Sequence, residues 1–291
     1  MKVIEVKNLS KYFGQIKAID NISFGVEKGE IFGFLGPNGA GKTTTIRSLL
    51  DFIKPNAGKI KILGLDIKKD SVKIKDKIGY LSGDVKLYDW WTGKDHIQFL
   101  ETIRGKSQIV KNLIKRFDFN PDIKARNLSS GNRQKLGLIL TLMGKPELLI
   151  LDEPTLGLDP LLQNIIYKTL KDFQAKGVTI FMSSHNLPEV ERICNRVGII
   201  KQGKLVAVEN IRNLKAKRIF RIYLHFAQDF KEIDFSQNGV KIVEKLPEGL
   251  VLHVQGDINP LIKKLSQYQL KDLEIYHASL EDIFLEFYEK E

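Results

Sequence analysis

Residues 36–43 have the residue types and the spacing of a loop that binds phosphate. Their sequence, GPNGAGKT, matches G-x-x-x-x-G-K-[ST] with Gly36, Gly41, Lys42 and Thr43 at the defined positions. Glycines let the backbone fold around an anion with its N–H groups pointing inward, a lysine reaches the terminal phosphates, and a hydroxyl ligates Mg²⁺. The pattern therefore predicts a nucleoside triphosphate site. The other loop residues that we expect to contact the nucleotide are Asn38, Gly39, Ala40 and Thr44.

Two adjacent carboxylates follow an apolar run later in the chain. Residues 148–151, LLIL, predict a buried strand, and Asp152 and Glu153 come directly after it. Ligands of open parallel sheets bind beyond the carboxyl ends of the strands, and acids are costly to bury there without a cation or hydrogen bonds. We expect Asp152 to hold Mg²⁺, through water, and Glu153 to polarise the water that attacks a phosphate.

Two further polar groups come at the ends of predicted elements. Ser129, Ser130 and Gly131 precede a helix-forming run, and the free N–H groups of a helix start attract anions. His185 follows the predicted strand of residues 179–184, which places it at the same sheet edge as the phosphate loop and within reach of a γ-phosphate. Plain N-capping would explain the serines alone, and a lone histidine is usually structural. Their positions relative to the acidic pair favour a role at the site.

The elements that must position these residues have an α/β pattern. Short apolar runs precede the phosphate loop, the acidic pair and His185, and helical spacing follows the loop. Residues 1–30 and 58–64 predict strands of a separate antiparallel sheet, and residues 88–142 are mainly helical in pattern. The predicted fold is therefore a P-loop NTPase core with an antiparallel β subdomain and a helical subdomain.

A second domain is predicted at the C-terminal end of the chain. Residues 219–226 alternate strictly between apolar and polar positions, and further strand patterns and one helix pattern follow. Ser279 and Asp282 predict the start of a final helix. The predicted domains are residues 1–212 and a small α+β domain at 218–291.

Charge and composition limit the classes of function. The chain has a net charge of +11; residues 211–291 have 12 basic and 13 acidic residues, so the first 210 have 34 and 22, a net charge of +12. This excess could serve nucleotide phosphates, an anionic membrane surface or nucleic acid. No stretch approaches the roughly 18 apolar residues that cross a bilayer, and the N-terminus has no apolar signal core. We therefore expect a cytoplasmic protein, in which the single cysteine, Cys194, forms no internal disulfide.

The order of these motifs resembles that of the nucleotide-binding subunits of ABC transporters. Over about residues 1–210 the phosphate loop is followed by the serine–glycine motif, LLILDEP, GLDP and SSH. The segment SLEDIFLEFYE at 279–289 further resembles the ending of the ATPase subunits of ABC-2-type exporters. The resemblance implies an ATPase that uses ATP and Mg²⁺ and drives a separate multi-span membrane permease from the inner face of the cell membrane. It also implies that the helical subdomain, about residues 88–142, has the signature motif and touches the permease.

The resemblance implies a role for each motif residue. Lys42 and Thr43 bind phosphate and Mg²⁺, Asp152 is the magnesium aspartate, Glu153 is the general base, and His185 is the switch histidine.

Further implied roles concern a homodimer that forms in the ATP-bound state. Ser129 and Gly131 of one copy close on the γ-phosphate held by the other copy, and Asp159 lies at the interface between them. Phe13, with neighbouring Tyr12 as the alternative, stacks on adenine.

Two departures from the family pattern are present. The signature is LSSGN at residues 128–132 where the family has LSGGQ; both replacements keep hydrogen-bonding ability, and we expect function to survive. Gly83 occupies the position of the family's glutamine, whose side chain contacts Mg²⁺. Asp84 or a water molecule is expected to supply the missing oxygen.

Other functions remain open at the level of sequence. A soluble ABC ATPase that acts on ribosomes or nucleic acid is the alternative to a transporter. The presence of one cassette in one chain makes this alternative, and with it a nucleic-acid partner, the less favoured. A P-loop kinase for small molecules would leave the serine–glycine motif and Glu153 unexplained. Trp90 and Trp91 could pack in the core or line a groove that accepts a permease helix.

Overall fold

The computed structural model describes residues 1–216, 219–227, 235 and 239–277. The chain divides into two compact units, Met1–Glu209 and Asn210–Glu291. The predicted domain ranges 1–212 and 218–291 stay predictions. The predicted helix with Ser279 and Asp282, and the tail segment that resembles exporter ATPases, lie outside the described residues.

The first unit contains the following elements in chain order. They are β1 (Lys2–Phe13), β2 (Ile16–Glu27), β3 (Ile31–Leu35), α1 (Lys42–Leu49), β4 (Ala57–Ile62), β5 (Leu65–Asp66), α2 (Ile67–Asp76), β6 (Ile78–Leu81), α3 (Gly93–Arg104), α4 (Val110–Arg116), a 3₁₀ turn (Ala125–Asn127), α5 (Ser130–Met143), β7 (Leu148–Asp152), α6 (Pro160–Ala175), β8 (Thr179–Ser184), α7 (Leu187–Ile193), β9 (Arg196–Lys201) and β10 (Lys204–Asn210).

A six-stranded sheet with the order β10-β9-β3-β8-β7-β6 forms the centre of this unit. Strands β6 to β9 and β3 pair in parallel. Every residue of β3, β7 and β8 is buried, which is the pattern of parallel strands covered on both faces. The α/β core predicted from the sequence is confirmed.

A four-stranded antiparallel sheet with the order β2-β1-β4-β5 lies beside the parallel one. Phe24 on β2 joins the two, because its ring centroid lies 5.9 Å from that of Phe32, 5.4 Å from that of Phe34 and 6.0 Å from that of Phe181. Aromatic rings at this spacing bury a large apolar area with favourable ring–ring geometry. The predicted antiparallel subdomain is therefore present and shares a core with the parallel sheet.

Helices α3, α4 and α5 form the predicted helical region. Thr92 caps α3: its hydroxyl accepts a hydrogen bond from the Asp95 N–H, and the Asp95 carboxylate accepts one from the Thr92 N–H. This capping box satisfies donors that the helix start would leave unpaired. Trp91 packs against neighbouring aromatic rings, whereas Trp90 is 70% exposed beneath the Arg126 guanidinium. One tryptophan thus belongs to a local core and the other lies at the surface.

The second unit contains α8 (Ile211–Ala216), β11 (Ile219–Phe226), β12 (Val240–Leu246), β13 (Gly249–Gln255), α9 (Asn259–Leu265) and β14 (Leu270–His277). Its strands form an antiparallel sheet with the order β12-β13-β11-β14. Buried side chains of β11 and β13 pack with Phe235 and with Leu261 and Leu265 of α9; those of the two strands are Ile222, Leu224, Phe226, Leu250, Leu252 and Val254. The alternation read from the sequence produces this apolar face.

No helix among the described residues is long and apolar enough to cross a membrane.

Candidate functional site

The phosphate loop connects the buried end of β3 to the start of α1. Two of its glycines are required by space: a Cβ on Gly36 would lie 2.2 Å from the Ile200 carbonyl oxygen, and one on Gly41 would lie 2.4 Å from the Ala18 oxygen. Gly41 also has a φ of 107°, which an L side chain rarely adopts. The loop is thereby held close to the surrounding backbone, with α1 beginning at Lys42.

Lys42 lies inside this loop with its side chain only 6% exposed. Its ammonium donates hydrogen bonds to the Gly36 oxygen at 2.7 Å and the Pro37 oxygen at 3.1 Å. It also forms an ion pair with Glu153 at 3.2 Å. The positive charge is thus positioned where a terminal phosphate in the loop would lie.

A cleft opens beside the phosphate loop, lined by Lys42, Glu153 and residues of neighbouring segments. Other predicted loop residues also line this nucleotide cleft. Asn38, Gly39 and Thr44 are among its lining residues, whereas the side chain of Ala40 is buried.

Asp152, at the end of β7, is 4% exposed, and each of its carboxylate oxygens accepts a hydrogen bond. The Thr43 hydroxyl donates to one carboxylate oxygen at 2.9 Å, and the Ser183 hydroxyl donates to the other at 2.6 Å. A hydroxyl and a carboxylate are the hard oxygen donors that Mg²⁺ prefers, and Mg²⁺ bound with a nucleotide needs few protein ligands. The donor set therefore fits Mg²⁺.

The Glu153 carboxylate lies between the Lys42 ammonium and the His185 imidazole. One carboxylate oxygen lies 3.2 Å from the Lys42 ammonium and the other lies 2.8 Å from His185 Nδ1. Its backbone has a φ of 49°, a left-handed conformation that costs a non-glycine residue roughly 1–3 kcal/mol. Its N–H donates to the Ser183 hydroxyl at 3.0 Å. These contacts hold the carboxylate at the cleft that Lys42 also lines.

A buried network lies behind the site, and the motifs gave no sign of it. The Glu189 carboxylate accepts hydrogen bonds from Thr155 at 2.5 Å and from Ser184 at 2.6 Å. It therefore ties the segment after Glu153 to the residue before His185. Burial, aided by the nearby charge of Glu153, raises the pKa of Glu189 above its ordinary value of 4.5, against the opposing hydrogen bonds.

A second link joins the helical region to the acidic pair. Gln134, buried on α5, donates a hydrogen bond to the Pro154 oxygen at 2.7 Å. The start of α5 is thereby connected through the helix to the backbone directly after Glu153. The signal of this link in the sequence is a polar residue on the buried face of a predicted helix.

The serine–glycine motif lies at the exposed start of α5. Ser129 is the N-cap, with its hydroxyl accepting from the Asn132 N–H at 3.3 Å. Ser129 and Ser130 are exposed and Gly131 is half-buried. Among the described residues that line the cleft, none belongs to this motif. The structure therefore does not bring Ser129 or Gly131 to the phosphate loop of their own chain.

The residues predicted to contact adenine lie at the end of β1. Phe13 is 49% exposed and pairs in register with Ile16. Ile16, at 70% exposed, lines the cleft, whereas neither Phe13 nor Tyr12 is among the described residues that line it. The stacking role stays a prediction, and Ile16 is a cleft residue that sequence reasoning missed.

Gly83, which we assign to the position of the missing glutamine, lies beside Asp152. A Cβ on Gly83 would lie 3.4 Å from the Asp152 carbonyl oxygen. The Asp84 carboxylate, expected to supply the missing oxygen, pairs with Lys86, and its side chain is 76% exposed.

Asp159, expected at the dimer interface, caps α6 by accepting hydrogen bonds from two backbone N–H groups.

Comparison with known proteins places this site in a family. Residues 19–156 match the family model described as "ABC transporter". The bacitracin transport ATP-binding protein BcrA of Bacillus licheniformis is 34% identical over 97% of this chain and 96% of its own length. The probable multidrug ABC transporter ATP-binding protein YbhF of Escherichia coli (strain K12) is 37% identical over 74% of this chain, which spans only 38% of YbhF.

A solved structure, described as an ATP-binding subunit of an ABC transporter, superimposes with a TM-score of 0.68. It is 28% identical to this chain, with 74% of this chain and 92% of that structure covered.

We expect Glu189→Gln to make the fold progressively more stable than the wild type as pH rises. A carboxyl whose pKa is higher in the folded state stabilises the fold at low pH, and this stabilisation is lost as pH rises through the folded-state pKa. The amide keeps hydrogen-bonding capacity but does not ionise. Urea unfolding of both proteins from about pH 4.5 to neutrality should show the difference in free energy growing with pH.

The matched control is Asp122→Asn, which neutralises an exposed carboxylate and should leave that difference small at every pH. A constant difference between wild type and Glu189→Gln across the range would contradict the expectation.

Proposed function

Because this chain belongs to the family of ABC transporter ATP-binding proteins, we propose that it is the ATP-hydrolysing motor subunit of an exporter, of the ABC-2 type. Members of this family are ATPases that use ATP with Mg²⁺. The observation that supports the proposal most strongly is the Glu153 carboxylate, held between the Lys42 ammonium and His185 at the carboxyl end of β7. The name of BcrA supports a role in transport, and export as the direction is proposed from the resemblance of residues 279–289 to exporter ATPases.

Each residue of the site has a proposed part in hydrolysis. Thr43 and Asp152 would hold Mg²⁺, which neutralises charge on the phosphates. Lys42 binds the terminal phosphates. Glu153 accepts the proton of the attacking water, and His185 orients the Glu153 carboxylate through the contact at 2.8 Å.

A head-to-tail homodimer completes the site in this proposal. Ser129 stands at the exposed start of α5, where backbone N–H groups attract anions. No described residue of this motif lines the cleft of its own chain. A two-fold arrangement supplies the start of α5 from the second copy, and ATP then binds the closed pair better than the open one.

The permease is proposed to dock on an apolar groove of the first unit. The groove contains the exposed ring of Phe52, the apolar side chains of Leu87 and Leu100, and the basic side chains of Lys75 and Arg104. A short helix with an apolar face and an acidic residue matches this surface in shape and charge. Docking there would hold the chain against the inner face of the cell membrane, with the permease selecting the substrate.

Glu153→Gln is expected to retain ATP binding and to lower the hydrolysis rate by about 10²-fold or more, because the amide cannot accept the proton. With MgATP the variant should accumulate as a dimer, detected by size-exclusion chromatography.

Lys42→Ala should instead weaken nucleotide binding itself. Glu147→Gln, which alters an exposed carboxylate paired with Lys77, is the control and should hydrolyse ATP at the wild-type rate. Unimpaired hydrolysis by Glu153→Gln would exclude it as the base.

Phe52→Asp is expected to reduce copurification with a multi-span membrane protein and to leave the ATPase rate of the isolated subunit within about twofold, since Phe52 lies outside the nucleotide cleft. Val72→Asp is the matched control, because Val72 is 83% exposed and does not line the groove. Copurification of the wild type with ribosomes or nucleic acid, and without a membrane protein, would favour the soluble ATPase instead.

A further inference from the structure

A further cavity lies at the end of the parallel sheet where β7 and β8 begin, opposite the strand ends that face the nucleotide cleft. It has a volume of about 480 Å³ and is lined by residues of α4 and its N-cap, of the segment before β7, and of the end of α6 with the segment that leads from it into β8. Strands β7 and β8 begin at Leu148 and Thr179, whereas Asp152 and Ser184 are at their other ends. Five strand residues span about 16 Å. The cavity is therefore separate from the site described above.

The interior of the cavity is apolar. Leu113 is 4% exposed and Pro146 is buried, and both line it. Ile109, Phe173 and Val178, which are half-buried, complete the apolar lining. A recess of this volume, open to solvent on one side and lined by aliphatic and aromatic side chains, is typical of sites for small organic molecules.

The rim of the cavity is basic. Arg116, Lys145 and Lys176 line it together with Asn112. Asp172 pairs with Arg116 at 2.7 Å and offsets one positive charge. Within the part of the chain that the structure describes, neither Lys145 nor Lys176 has an ion pair; the Lys176 ammonium lies 5.7 Å from the centre of the Phe173 ring. Two uncompensated ammonium groups beside an apolar recess attract an anion.

We propose that this cavity binds a small organic anion: an apolar, ring-sized body in the recess and a phosphate or carboxylate group at Lys145 and Lys176. The apolar body accounts for the buried lining, and the anionic group accounts for the uncompensated charges. Because α4 and the segments that lead into β7 and β8 all contribute residues, the bound anion would connect the helical region to the parallel sheet. The proposal does not depend on ATP hydrolysis or on the permease.

The test is a calorimetric titration of the full chain with 1-naphthyl phosphate as the probe, with and without excess ADP. We expect binding in both conditions. Inorganic phosphate, which lacks the apolar body, should bind more than tenfold more weakly. Lys145→Ala/Lys176→Ala should weaken binding of the probe by about tenfold, because two attractive charges are lost.

The matched control is Lys111→Ala/Lys115→Ala, which removes the same charge from exposed positions of α4 that do not line the cavity. It should bind the probe like the wild type. Both double variants should unfold at the midpoint temperature of the wild type, which would show that their fold is intact. Ile109→Asp, which puts a carboxylate in the apolar wall, should abolish binding.

Three results would overturn the proposal. The first is the absence of probe binding, and the second is equal affinity in the two double variants. The third is displacement of the probe by ADP, which would assign it to the nucleotide cleft. Sedimentation with phosphatidylglycerol vesicles separates the sources of the anion: binding to vesicles through Lys145 and Lys176 without binding to 1-naphthyl phosphate would identify a membrane surface and reject the soluble ligand.

Discussion

The register of the parallel strands β3, β8 and β7 is the constraint on which the site depends. Leu35 pairs with Ser184, and Ser183 pairs with Asp152. These three strands therefore end at one level, and the segments that follow them emerge side by side. The phosphate loop, the acidic pair and His185 are distant in sequence and meet only because of this alignment. A slip of one residue would turn every side chain of a strand to the other face of the sheet.

The same alignment concentrates charge at a buried edge, and the local contacts offset its cost. Asp152 receives hydrogen bonds from Thr43 and Ser183, while Glu153 contacts Lys42 and His185. Buried carboxylates are tolerated when they are paired and hydrogen-bonded in this way. Two carboxylates and one lysine leave the edge short of positive charge, which favours the binding of a cation such as Mg²⁺.

Much of the fold and of the site could be predicted from sequence, because short apolar runs and turn residues are local signals. The strand before Asp152 and the helix after Ser129 are examples. The alternation of residues 219–226 likewise predicts β11 of the second unit. The buried bonds of Glu189, the link from Gln134 to Pro154 and the exposed position of Ile16 could not be predicted. They depend on side chains brought together by strand register and helix packing, which no local pattern encodes.

In the proposed dimer, each ATP is held by the phosphate loop of one copy and by Ser129 of the other. Mixing two inactive variants, Lys42→Ala and Ser129→Arg, tests it directly through the ATPase rate. In a mixed dimer one site combines an intact loop with an intact Ser129, so a one-to-one mixture should recover up to about a quarter of the wild-type rate. A mixture as inactive as its two components would contradict the shared site.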